Sequence, residues 1–501
     1  MSLAQKAARG AAWTIVFGLL ARAIGVAGTL VMTHLIEPDV IGEVAAATII
    51  VMIFSWVSNW GFGPYLIVKA RGDAEAEVIW HVTVAHLVLG AIAMVLVGFV
   101  GGYFLPWFNA EAGVAYVPGM AVALGLRRIS AVPEKVLVKG MHFRAIGVSM
   151  AAGETTYAVV TVLLAWRGLG GMSVVWGNIA QSTMIVAIML SAAGLRSWTR
   201  RTRLSRARFR DMLRFGLPLA VESVAHNAAR YCDNLMMSRY FGTGPMALYN
   251  MGYNLADIPA IYVGEQIGQV LLPSMSEMPP ARRAAALERS TALLGLIIFP
   301  MAVGLAVVSH SLIQVALGPE WQGVAPLLTI LAALSVFRPI AWTLSSYLEA
   351  SDQTDKFMWL ELGKLVLLFG GIWALHGWGI QAAAAAVGMA FGMHAIAGVW
   401  MVARTGPSMA RMFIGFARPM LACAAMAAAA LGARHGLIAV GVDDPRILLP
   451  AEIVIGALAY IPAAFVFAAP IARDFLRLLK QLRGRGGAVA PAAEPPAPPA
   501  A

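Results

Sequence analysis

Apolar stretches of about 20 residues, each the length that carries a helix across a hydrocarbon core of roughly 30 Å, recur from Ala11 almost to Pro470. Strict alternation of apolar and polar positions is absent, so the pattern predicts membrane helices and not a β-barrel. Read window by window, spans are expected near 11–36, 40–68, 78–105, 114–138, 144–166, 170–193, 212–240, 245–273, 290–317, 323–349, 357–376, 378–402, 418–440 and 447–470. The opening "MSLAQKAARGAAWTIVFGLL" imitates a signal peptide, but its apolar run continues to Ile36 without a cleavage site, so it reads as the first span.

Composition strengthens this picture. Of 501 residues, 59% are hydrophobic and 13% charged, and the mean hydropathy is +0.74, outside the range of soluble domains. The net charge of +11 matters through its distribution. Lys and Arg collect after even-numbered spans: Lys69 and Arg71, Lys139 and Arg144, "RSWTRRTRLSRARFRDMLR", Arg282, Arg283 and Arg289, Lys356, and Arg404 with Arg411. Loops after odd-numbered spans ("EPD", "PWFNAEAG", "FGTGP", "GPEWQG", "HGWG") carry neither, with Arg167, Arg434 and Arg446 as exceptions. Because basic residues beside spans stay on the cytoplasmic side, both termini are expected there. The stretch from Arg196 to Arg214 reads as an anchor at anionic headgroups. No charged groove with interleaved aromatics occurs in a soluble segment, which excludes nucleic acid as a partner. Cys232 and Cys423 both fall inside spans and read as small packing residues.

A weak internal repeat organises the spans. "GTLVMTHLIEPDVIGEV" aligns with "DNLMMSRYFGTGPMALY" (Gly28 with Asp233), and "ALGLRRISAV" with "ALSVFRPIAW" (Arg128 with Arg338). Six spans separate the partners, so the halves share orientation, as in transporters built from parallel repeats with the site between them. The expected fold is therefore an all-α polytopic membrane protein of about fourteen transmembrane helices around a central cavity. Its parts are a six-helix half (1–195), a basic cytoplasmic linker (196–211), a second six-helix half (212–405), two additional spans (406–472), and a basic, then Pro/Ala-rich tail (473–501) expected to be disordered and cytoplasmic.

Charges inside the spans are the candidate chemistry, since one at mid-membrane costs roughly 2.5–3.5 kcal/mol and needs a partner, water or a ligand. The basic ones, Arg22, Arg127, Arg128, Arg230 and Arg338, fall on the repeat-related spans, and a cationic lumen suits an anionic substrate because Arg grips phosphate oxygens through paired bonds. The acids Glu154, Asp233, Asp257 and Glu265 are candidates to bind a proton or sodium and so couple transport to a gradient. In "AVESVAHNAARYCDNLMMSRYFG", Glu222, His226, Arg230 and Asp233 follow three-and-four spacing, with Ser223, Asn227 and Asn234 alongside, and Asn234 is a further candidate to line the substrate cavity. There a bland alternative stands open: Arg230 and Asp233 neutralise each other, and Glu222 pairs with His226 or Arg230. Glu361 and Lys364 read as an ordinary pair. His81 and His86 are the histidines nearest to metal-ligand spacing, and they are poorly aligned, so no metal, cofactor or catalytic group is expected. Gly388 and Gly392 read as helix packing.

The chain resembles the polysaccharide and oligosaccharide flippase branch of the multidrug/oligosaccharidyl-lipid/polysaccharide exporter superfamily. Three stretches carry the resemblance: "GAAWTIVFGLLARAIGVAGTLVMTHLIEPDVIGEVA"; the segment from Val132 to Gly177 with Pro133, Phe143 and Arg144; and the segment from Arg214 to Met278 with Phe215-Gly216-Leu217-Pro218, Asp233-Asn234, Leu248-Tyr249 and Leu272-Pro273-Ser274. Lys139 stands where the family usually has Arg, and His34 and Glu37 replace its Arg and Gly. The resemblance implies a V-shaped bundle of two six-helix halves with an often cationic cavity. It implies translocation of a polyprenyl-diphosphate-linked oligosaccharide across the bacterial inner membrane, with membrane lipids and other polysaccharide assembly proteins as partners. Two rival readings predict different features. A multidrug or cation exporter predicts a cavity dominated by acids, and a membrane polymerase or ligase needs a sizeable outward loop.

Overall fold

A segment in lipid must satisfy its own backbone N–H and C=O groups, which favours helix in an apolar window. The structure, a computed structural model, describes residues 3–484 except 71, 141, 260–270, 272–274, 276–277, 352 and 405; at some further helical positions, among them 3–16, 222 and 226, it describes the backbone alone. The helices are α1 (Leu3–Met32), α2 (Pro38–Val57), α3 (Phe62–Lys69), α4 (Glu75–Val100), α5 (Val117–Lys139), α6 (Phe143–Trp166), α7 (Gly171–Ala193), α8 (Arg206–Phe241) and α9 (Thr243–Pro259). They continue as α10 (Pro280–Ala316), α11 (Val324–Leu334), α12 (Arg338–Ala350), α13 (Thr354–Leu375), α14 (Ile380–Ala403), α15 (Met409–Ala439), α16 (Pro445–Phe467) and α17 (Ala469–Gly484). No strand occurs among the described residues. Ten helical stretches among them are long and apolar enough to cross a membrane.

Two windows are broken. The window at 40–68 divides at Gly61, whose φ of 63° is left-handed and ends the run between α2 and α3. The window at 323–349 passes through a 3-10 turn at Ser335–Phe337 before α12 begins at Arg338. The later part of the window at 245–273 lies outside the described residues. An additional helix, α17, follows the final window.

The chain forms two compact units. The first comprises residues up to Leu255 with Leu312–Leu331 and Leu365–Ala390. In it α1 packs on α6, α6 on α7, and α5 lies against α2, α4 and α7, so α5 is an inner helix. Gly42 of α2 abuts the Thr243 carbonyl so closely that a Cβ would overlap it. Phe62, Tyr65, Leu66, Val78, Val82, Trp198 and Met212 form a buried core at the α3–α4–α8 junction.

The second unit comprises Ala256–Ser311, Ala332–Lys364 and the chain from Phe391 onward. Here α15 pairs with α16, and α17 folds back so that Ala472 joins Leu296, Ala422, Ala463 and Ala464 in one core. Arg289 of α10 clamps Asp474 of α17 through two bonds of 2.6 and 2.8 Å.

Candidate functional site

In the first unit, Arg127 and Arg128 occupy the midpoint of α5 and diverge. Arg128 is 7% exposed, and its Nη2 donates to the Ser55 carbonyl, to Ser55 Oγ (2.8 Å) and to Ser58 Oγ (2.6 Å). Ser58 caps α2, so the guanidinium caps a helix end that otherwise leaves carbonyls without partners. Arg127 is exposed, and its Nη2 donates to Gln181 Oε1 at 2.9 Å, whose Nε2 donates to Glu154 Oε1 at 2.7 Å. Gln181 thus joins two predicted residues on α5 and α6. Sequence reasoning missed it, although an amide in the middle of apolar α7 is itself a signal. The other Glu154 oxygen faces Gly25 of α1, where an added Cβ would stand 3.2 Å away. Arg22, three residues before that glycine, is exposed.

Asp233 and Asn234 turn into the protein, 1% and 2% exposed. Asp233 Oδ2 accepts from Tyr249 OH at 2.7 Å, and Oδ1 accepts from the Asn234 backbone N (2.8 Å) and Nδ2 (3.0 Å). The chain of bonds continues from Asn250 Nδ2 to Asn234 Oδ1 and from Asn254 Nδ2 to Asn250 Oδ1, each 2.8 Å, ending at exposed Asn254. Spacing places Asn234 beside the polar stripe; Tyr249, Asn250 and Asn254 emerge only where α9 meets α8. Arg230 is exposed, with its guanidinium 5.8 Å from the Tyr231 ring centroid. The side chains of Glu222 and His226 lie outside the described residues, and so does Glu265.

In the second unit, Arg338 of α12 forms an ion pair with Asp257 of α9, an interhelical partner that its own helix does not supply. Its guanidinium lies 5.0 Å from the centroid of Phe391, and Lys364 Nζ lies 5.4 Å from the same ring. Lys364 holds Glu361 at 2.5 Å, and the other Glu361 oxygen meets His394 Nε2 at 3.2 Å. Glu361 and Lys364 are therefore members of a larger cluster, and spacing within α13 conceals this because Phe391 and His394 arrive from α14. Among the described residues no three His, Cys, Asp or Glu side chains converge as a metal site.

The profile of the polysaccharide biosynthesis protein family matches residues 31–326. The chain belongs to this family. It is 21% identical over 358 residues to the lipopolysaccharide biosynthesis protein WzxC of Escherichia coli (strain K12), covering 71% of this chain and 72% of that protein. It is 26% identical over 348 residues to the succinoglycan biosynthesis transport protein ExoT of Rhizobium meliloti (strain 1021), covering 68% and 69%. The fold is that of the lipid II flippase MurJ in its inward closed conformation: TM-score 0.74 at 12% identity, over 92% of this chain and all of that one. An inward-facing multidrug resistance MATE family transporter of the MOP superfamily follows the same fold at TM-score 0.59, 16% identity, over 79% and 95%.

In this polysaccharide biosynthesis protein the matched region carries Arg127, Arg128, Glu154, Arg230, Asp233, Asn234 and Asp257, whereas Arg22 and Arg338 flank it. Arg127 and Arg128 each commit only Nη2 to bonds with the described residues, which leaves Nε and Nη1 for an outside acceptor. Of the two, only Arg127 is exposed, so its fork is the one that can meet an anion with several phosphate oxygens.

Proposed function

We propose that the protein is a flippase that moves a polyprenyl-diphosphate-linked oligosaccharide across the bacterial inner membrane for surface polysaccharide assembly. Family membership and the MurJ-like fold support a transporter, not an enzyme. The observation that carries the reading is the exposed Arg127 at the centre of α5. A guanidinium at the midpoint of a membrane helix, on an exposed residue as Arg127 is, is stable beside water or an anion and costly in lipid. The diphosphate would bind Arg127, with Arg22 and Arg230, exposed in the same unit, as further candidates; Arg128 and Arg338, both buried and partnered, would support the fold around them. The polyprenyl chain would stay in lipid.

The halves rock between inward- and outward-open states, and no covalent step is needed. Fourteen spans with both termini in the cytoplasm complete the arrangement. Return is driven by a proton or sodium at Asp233 or Asp257, with Glu154 and Glu265 as further candidates. A multidrug exporter is the weaker reading, because arginines dominate the intramembrane charges.

The test is translocation of a fluorescent polyprenyl-diphosphate oligosaccharide in proteoliposomes. Arg127→Ala should lower the rate on the order of tenfold to a hundredfold, the worth of one or two charge-assisted bonds. An unchanged rate in a folded variant sinks the proposal.

A further inference from the structure

The start of α8 has two faces of opposite character. One is committed to the first unit. Arg208 Nε and Nη2 hold Glu77 at 3.1 and 3.2 Å, and this bonding raises the Arg208 pKa above the usual arginine range. Asp211 accepts from Tyr65 OH at 2.7 Å, Met212 is buried, and Phe215 meets Tyr65 edge-on at 5.5 Å. The Ser205 N–H, just before the helix, donates to His81 Nε2 at 2.8 Å.

The other face repeats at three-and-four spacing as Arg206, Phe209, Arg210, Leu213, Arg214 and Leu217. With Trp60 from the α2–α3 break, these six line an open cavity of about 450 Å³, and no acidic side chain lines it. Gly216 brings α8 against the α2–α3 break beside the cavity: a Cβ there would overlap the Trp60 carbonyl, so only glycine allows this approach.

Arg206, Arg210 and Arg214 are exposed and hold no ion pair with the described residues. Basic side chains near other helix ends do: Lys139 with Glu75, Arg289 with Asp474, Arg411 with Glu288. Three arginines one turn apart make a cationic rail about 12 Å long, and Leu213 and Leu217 beside it remain 39% and 50% exposed. A rail of forked phosphate donors, next to an apolar wall closed by an indole, complements an amphiphile with an anionic headgroup.

We propose that this cavity is a binding site for an anionic phospholipid, its phosphate held by Arg206, Arg210 and Arg214 and an acyl chain laid along Trp60, Leu213 and Leu217. The bound lipid bridges α8 to the α2–α3 break and stabilises that junction. This goes beyond diffuse attraction of the 196–214 stretch to a charged leaflet, because it depends on position as well as on charge.

The experiment uses the full chain purified in detergent, titrated separately with phosphatidylglycerol, phosphatidylcholine, inorganic diphosphate and undecaprenyl diphosphate. Thermal unfolding and lipid retention in native mass spectrometry are the readouts. Phosphatidylglycerol should raise the midpoint by several degrees, the linkage expected of a ligand well above its Kd, and phosphatidylcholine and diphosphate should not. Arg206→Gln/Arg210→Gln/Arg214→Gln should weaken that binding at least about tenfold, as loss of charge-assisted bonds implies. Arg200→Gln/Arg201→Gln/Arg203→Gln, the same charge change in the loop upstream, should leave it intact. If the first triple variant fails to fold, Arg210→Gln alone should weaken retention and Trp60→Ala should do so without altering charge. Equal loss in both triple variants, a matching response to diphosphate, or binding of undecaprenyl diphosphate in place of phosphatidylglycerol would overturn the proposal.

Discussion

Asp257 and Arg338 illustrate why buried charges in this chain must be judged by partner. Both are under a tenth exposed, so removing one leaves the other desolvated and uncompensated. Asp257→Ala is expected to lower stability by about 3–5 kcal/mol, whereas Asp257→Ala with Arg338→Met should lose much less than the sum of the single changes; denaturant unfolding of all three variants checks this. Tyr249→Phe deprives the buried Asp233 carboxylate of one donor and should cost about 1–3 kcal/mol in the same assay. The candidate residues were legible here by type and position, because a charge in an apolar run has few reasons to exist. Their partners were not. Gln181, Ser55, Ser58 and Tyr249 are ordinary polar residues until another helix brings them to Arg127, Arg128 or Asp233.

At the level of elements, the apolar windows located the helices well because lipid leaves the backbone no alternative to internal hydrogen bonding. The breaks were harder to read. Gly61 and the Ser335–Phe337 turn interrupt windows whose composition is uniformly apolar, and what marks them is backbone conformation. Helix contacts at glycines are likewise tertiary facts. Gly42→Leu should drive α2 from the Thr243 backbone and destabilise the protein by about 1–3 kcal/mol, the usual cost of overpacking. A drop in the thermal midpoint with the helical circular dichroism of the folded state unchanged would be its signature. By contrast, Arg289→Ala should shift stability by no more than about 1 kcal/mol, because that residue is half exposed and solvent screens its pair with Asp474.

For the whole molecule, the basic residues make a testable statement about orientation. In a background of Cys232→Ser and Cys423→Ser, a cysteine placed at Asn109 should react with a membrane-impermeant maleimide in intact cells, and one placed at Arg201 should react only after lysis; the reverse result would reject the topology. Deletion of the protein should cause complete lipid-linked repeat units to accumulate on the cytoplasmic side. By itself the sequence determined that the chain is a helical membrane protein, where its helices lie, and which charges need explaining, because hydrophobic length and the cost of charge in lipid are properties of the chain alone. Only the tertiary structure decided which charges are paired and which retain free donors, as with Asp257 on Arg338 and Arg127 beside Gln181. The face of α8 that stays uncovered was decided at the same level. Those outcomes depend on groups tens of residues apart in the chain meeting at hydrogen-bond distance, and no local pattern encodes such a meeting.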